Sequence, residues 1–180
     1  AGVAASGTPA QAKQQVERPF RYVSEGTISN APVEDCDFDS LPSGEPFLLC
    51  DQQFAGIDER ATHLGRTSST ATGVLTLFIF RACETPDGNQ AGVPYESNTE
   101  RTIVAANGDT LSMTTTVTGC GDGEGLTEPV GTYTVTGGTG RFAGASGGGE
   151  VSSSVLGGSI DSVSRLPDSS SCSASRGCCW

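Results

Sequence analysis

Asn107-Gly108 stands between two segments, 99–106 and 109–118, and in the second Leu111, Met113 and Val117 fall on one face with Ser112, Thr114, Thr116 and Thr118 on the other. Alternation at every second residue is the pattern of a strand with one buried face. Asn-Gly is the strongest short hairpin signal, because both central positions of a type I′ turn need positive φ. The same arrangement recurs where Gly157-Gly158 separates 147–156 from 159–166. Between them, 130–136 sets Thr132, Thr134 and Thr136 on one face and Tyr133 and Val135 on the other. Earlier strands are expected over 20–29, 47–54, 61–69 and 72–83. The last is apolar on both faces, Leu75, Leu77 and Ile79 against Val74, Phe78 and Phe80, and so should be central and covered on both sides. Turns or loops are expected over 30–45, 56–60, 84–98 and 119–128. The total is about nine strands and no helix.

Short antiparallel strands in this number leave edges unless the sheet closes on itself. The sequence therefore predicts an all-β fold, a closed antiparallel barrel of about eight strands over 19–166, with a two-sheet sandwich as the alternative. Residues 1–18, rich in Ala and Gln without a periodic apolar face, are expected to be an N-terminal arm. Residues 167–180 are expected to be a Ser- and Cys-rich tail.

Composition narrows the function classes. The 180 residues hold 25 Gly, 21 Ser and 20 Thr but one Lys (Lys13), one His (His63) and one Met (Met113). A helical bundle is excluded by the scarcity of strong helix formers. The net charge of −11 argues against a nucleic-acid partner, which requires clustered Lys and Arg. No apolar run approaches the roughly 20 residues of a membrane-spanning helix. An acidic, Lys-poor, Cys-bearing chain rich in Ser and Thr fits a secreted protein, with a leader expected to have been removed before Ala1. No Asn-x-Ser/Thr acceptor occurs.

The seven cysteines are Cys36, Cys50, Cys83, Cys120, Cys172, Cys178 and Cys179. Without a CxxC pair, and with a single His, they read as disulfide partners rather than zinc ligands. Cys36, Cys50, Cys83 and Cys120 are expected to pair within the barrel region, in a connectivity the sequence leaves open. Cys172, Cys178 and Cys179 would tie down the tail. Seven is odd, so at least one thiol is free or joins another chain.

One stretch resembles a known family. Gly131-Thr-Tyr-Thr-Val-Thr-Gly-Gly-Thr-Gly-Arg-Phe-Ala-Gly-Ala-Ser-Gly147 is similar to the motif of dirigent proteins and allene oxide cyclase-like barrels. There a strand ends in Gly-Gly-Thr-Gly and a Phe follows two residues later. In this chain Gly137, Gly138 and Gly140 would open a backbone path closed to other residues, and Phe142 would plug one end of the barrel. The resemblance covers about 17 residues well and 99–166 loosely. It implies an eight-stranded barrel, often trimeric, with a central cavity in which a reactive small molecule is cyclised or oriented. No pocket residue of the family is matched position by position.

Candidate chemistry is sparse. No strand-turn-helix context for a nucleophile elbow and no Cys–His pairing is evident, and His63 reads as a strand histidine with Arg66 on the opposite face. Asp35, Asp37 and Asp39 alternate as calcium ligands do, but Ser40 stands where the sharp turn needs Gly and Pro46 where a bidentate Glu belongs. Asp122, Glu124 and Glu128 form a weaker acidic group. Arg21 and Glu25 share a face of the first strand, with Tyr22 on the other. Ser112, Thr114, Thr116 and Thr118 make a second hydroxyl row beside Thr132, Thr134 and Thr136. The expectation is a secreted, disulfide-stabilised barrel without cofactor, acting non-catalytically as a subunit of an extracellular assembly or filament, or as a binding module. Self-association would run through the arm or an intermolecular disulfide. The alternative is a cavity-based cyclase or isomerase for a small hydrophobic substrate.

Overall fold

The structure, a computed structural model, describes residues 20–84, 88, 92–121, 129–156 and 160–165, with Glu25, Val33, Ile57, Asp58, 153–156 and 160–165 described by backbone alone. The expected arm 1–18, the tail 167–180 with Cys172, Cys178 and Cys179, and the acidic group Asp122, Glu124 and Glu128 lie outside the described residues.

Nine strands follow one another: β1 (Tyr22–Asn30), β2 (Asp37–Ser40), β3 (Pro46–Ala61), β4 (Gly65–Leu77), β5 (Val93–Ala105), β6 (Thr110–Gly121), β7 (Val130–Gly138), β8 (Gly147–Leu156) and β9 (Ile160–Arg165). The only helical turns among the described residues are two short 3₁₀ segments, Val33–Asp35 and Gly140–Phe142. Every ladder is antiparallel.

Seven strands, in the spatial order β1-β3-β4-β5-β6-β7-β8, form a strongly curled sheet. By themselves they make a half-barrel that is open between β8 and β1. This corrects the expected closed barrel of about eight strands. The short β9 lies at the opening, its backbone in register with β1 from Val23↔Arg165 to Ile28↔Ile160 and with β8 from Ser152↔Arg165 to Leu156↔Asp161. β2 pairs with the first residues of β3 only.

The alternation read from sequence sorts the two faces. Ile103, Ala105, Leu111, Met113, Tyr133 and Val135 are buried on the concave side, packed with Phe20, Tyr22, Ala61, Leu64, Phe142 and Ala145. Thr114, Thr116, Thr132 and Thr134 are exposed on the convex side, with Thr114 opposite Thr134 and Thr116 opposite Thr132. The β5–β6 hairpin forms at Asn107-Gly108 as expected, with a different turn. Gly108 alone takes positive φ, 86°. Its N–H donates to the Ala105 carbonyl at 2.8 Å, and Ala105 N–H donates to Asp109 O at 2.8 Å. A three-residue loop with glycine in the left-handed position replaces the two-residue type I′ turn.

Four expectations are overturned between residues 56 and 98. The predicted turn over 56–60 is internal to β3, which runs unbroken for 16 residues. β3 carries one extra residue there against both neighbours: Ala55↔Thr70 is followed by Glu59↔Thr67, and Glu25↔Ile57 is preceded by Val23↔Arg60. This is a β-bulge, which bends a strand without ending it. The predicted strand 61–69 starts only at Gly65. His63 sits in the connecting turn at φ 68° and is exposed. The segment 72–83 is not a strand covered on both sides. β4 ends at Leu77, Val74 is 38% exposed and Phe80 72% exposed. The predicted loop 84–98 is shortened, because β5 begins at Val93.

Candidate functional site

The bulge decides where the interior chemistry lies. Cys50, Gln52 and Phe54 of β3 point inward at alternate positions, so an unbroken strand would send residue 59 outward. The extra residue reverses the parity, and Glu59 and Ala61 face inward, 1% and 7% exposed. A carboxylate buried so deeply needs partners. Glu59 Oε1 accepts from Tyr22 OH at 2.5 Å, Ser24 Oγ at 2.6 Å and Ser69 Oγ at 2.5 Å, and Oε2 accepts from Thr67 Oγ1 at 3.5 Å. The donors come from β1 and β4, the two strands that flank β3. Gly56 completes the arrangement, since a Cβ there would overlap the Glu59 carboxylate and the Ser69 hydroxyl.

Arg101 of β5 approaches from the other side. Its Nη1 donates to Tyr22 OH at 3.2 Å, and its guanidinium lies 4.1 Å from the Phe54 ring centroid and 5.7 Å from that of Tyr22. Tyr22 thus stands between a cation and an anion. Burial pushes its hydroxyl pKa up; Arg101 acts in the opposite direction, and Glu59 adds to the rise. Two buried polar atoms of this interior have no hydrogen-bond partner: Arg101 Nε and Tyr133 OH. Burial also raises the Tyr133 pKa. Toward the other end, Ser97 Oγ donates to Gln52 Oε1 at 2.5 Å, and Gln52 Nε2 donates to Asn30 Oδ1 at 2.9 Å.

On the outer face, beside the β3–β4 turn, a depression of about 1000 Å3 is lined by Arg21, Val23, Arg60, Ala61, Thr62, Gly65 and Arg66. Arg60 and Arg66 are direct cross-strand neighbours, and Val23 is opposite Arg60 on the other side. Arg21 and Thr62 are tied by Arg21 N–H to Thr62 Oγ1 at 2.8 Å and Thr62 N–H to Arg21 O at 2.8 Å. Phe20, Arg21, His63 and Arg66 make further interactions with the chain.

The residues singled out from sequence are distributed as follows. Cys36 is bonded to Cys50 and Cys83 to Cys120. Gly137 and Gly140 have φ of 152° and 57°, and Gly138 leaves no room for a Cβ between Thr110 O and Phe142. Phe142 is buried, at the end of the sheet where β7 leaves and β8 begins. Asp35, Asp37 and Asp39 are exposed, and no group of three or more metal-binding side chains occurs among the described residues. Arg21 lies outside, while Tyr22 is the inward residue that meets Glu59. Glu59, Ser24, Ser69 and Arg101 were missed. Glu59 lay in a segment read as a turn, and nothing in the pattern of residues signals a parity change. Among the described residues no helix is long and apolar enough to cross a membrane. The chain matches no known family model, no curated protein and no solved structure.

Proposed function

We propose that this chain is a secreted, disulfide-stabilised β-barrel that acts non-catalytically, through its outer surface, as a subunit of an extracellular assembly or as a binding module. The observation that carries this reading is the state of Glu59. The one fully buried carboxylate among the described residues, the natural acid or base of an interior active site, has one oxygen filled by three hydroxyl donors. That is the environment of a structural group. The arginine-lined depression, by contrast, opens outward. The two disulfides support an oxidising compartment.

β9 lies at the opening of the curled sheet, in backbone register with β8 and β1. Kinship with dirigent and allene oxide cyclase-like barrels is part of the proposal too, supported by the backbone path at Gly137–Gly140 and the buried Phe142. Self-association involves the N-terminal arm or one of Cys172, Cys178 and Cys179. Non-reducing electrophoresis and size exclusion of the purified protein test this: species larger than the monomer are expected, and a monomer alone at every concentration overturns the assembly reading.

A second reading, a cavity that holds a small hydrophobic substrate for cyclisation or isomerisation, is favoured by the unpartnered Arg101 Nε and Tyr133 hydroxyl. Both could meet a carbonyl or carboxylate oxygen on an otherwise apolar molecule. Native mass spectrometry that finds a stoichiometric small molecule lost on Arg101→Met substitution would establish it.

A further inference from the structure

The two ends of the curled sheet carry opposite charge. β4 spans the sheet with 13 residues, roughly 40 Å of strand, between the β3–β4 turn at one end and the Pro46–Leu49 ladder with β2 at the other. The first end holds the depression with Arg21, Arg60 and Arg66. Three of the nine arginines of a chain with net charge −11 therefore line one depression. Arg60 is directly opposite Arg66, a cross-strand placement that like charges disfavour.

The second end is acidic and apolar. Glu34, Asp35, Asp37 and Asp39 are all exposed, as are all four residues of β2. Phe38 is 61% exposed within that strand, and Phe80 is 72% exposed just beyond β4. Among the described residues β2 pairs with β3 alone, so its other edge offers unused backbone donors and acceptors.

We propose that copies of this chain stack head to tail, the acidic β2 end of one copy seated in the Arg21–Arg60–Arg66 depression of the next. This rests on the assembly reading above and names its contact. Overall repulsion between two copies of charge −11 is screened beyond about 8–10 Å in physiological salt, whereas opposed guanidinium and carboxylate groups in contact remain attractive. Phe38 and Phe80 add apolar area beside the charges. The two surfaces differ, so each added copy leaves one basic and one acidic end open, and the contact propagates as a filament unless its rotation closes a ring.

Sedimentation velocity of the full chain at physiological salt tests the contact with two charge reversals, Arg60→Glu and Asp37→Arg. Both side chains are exposed, and retained β-sheet circular dichroism confirms folding of each variant; if Arg60→Glu fails to fold, Arg60→Gln replaces it. Each variant alone should lose the higher species. Mixed together they should recover extended species of alternating copies, because the two unmodified ends fit each other and the two reversed ends are complementary in turn. The double variant should recover extended assembly. Variants that assemble as the unmodified protein does would overturn this contact while leaving the assembly reading intact. An unmodified chain that sediments only as a monomer would overturn both.

Discussion

Tyr22 and Gly56 show how single residues hold the interior. The Tyr22 hydroxyl donates to Glu59 and accepts from Arg101, and its pKa lies above the ordinary value of 10.0 through burial first. The folded state thus holds this proton more tightly than the unfolded chain. Its contribution to stability is complete below pH 10 and is lost as pH rises through the folded value. Urea unfolding from pH 9 to 11.5 should show the unmodified protein losing stability more steeply than Tyr22→Phe; parallel curves would contradict this. Tyr133, raised by the same cause, keeps a residual slope in both. Gly56→Ala would push a methyl group against the Glu59 carboxylate and Ser69 Oγ. A loss of about 1–3 kcal/mol in urea unfolding is expected. Neither effect could be anticipated from composition. Tyr22 is legible as an alternating strand residue, but its partner lies 37 positions away, beyond any local pattern.

Elements were legible where they are regular and hidden where they bend. The β5–β6 hairpin, the inward Tyr133 and Val135 and the outward Thr132 and Thr134 follow from period two and one glycine. The same rule failed over 56–60, because Gly56, Ile57 and Asp58 carry a turn's composition while tertiary pairing with β1 and β4 continues past them. Phe78, Ile79 and Phe80 raised the apolarity of 72–83 without belonging to β4. The disulfides act at this scale as well. Cys36–Cys50 ties the β2 segment to β3 across 14 positions, and Cys83–Cys120 ties the approach to β5 to the end of β6 across 37. Loop-closure entropy assigns them about 3 and about 4 kcal/mol. Denaturant unfolding of Cys36→Ala/Cys50→Ala and Cys83→Ala/Cys120→Ala should show losses of that order, the second the larger. An unchanged midpoint in either would mean the loop is held by other contacts.

At the scale of the molecule the architecture divides its labour between faces. The concave side joins one apolar cluster to a buried polar group in which strands β1, β3, β4 and β5 each contribute a side chain around Glu59. The convex side carries the threonine rows, the arginine depression and the acidic β2. The sequence has one His and one Lys, and the proposal that the outside is the working surface rests on the three hydroxyl donors that fill Glu59 Oε1. Equilibrium urea unfolding of Glu59→Ala tests this division most directly. Truncation leaves the Tyr22, Ser24 and Ser69 hydroxyls without their acceptor inside the sheet, and the account predicts a loss of about 3–5 kcal/mol. A variant within about 0.5 kcal/mol of the unmodified protein would show that the carboxylate is not what holds the interior, and would make Glu59 a candidate catalytic group.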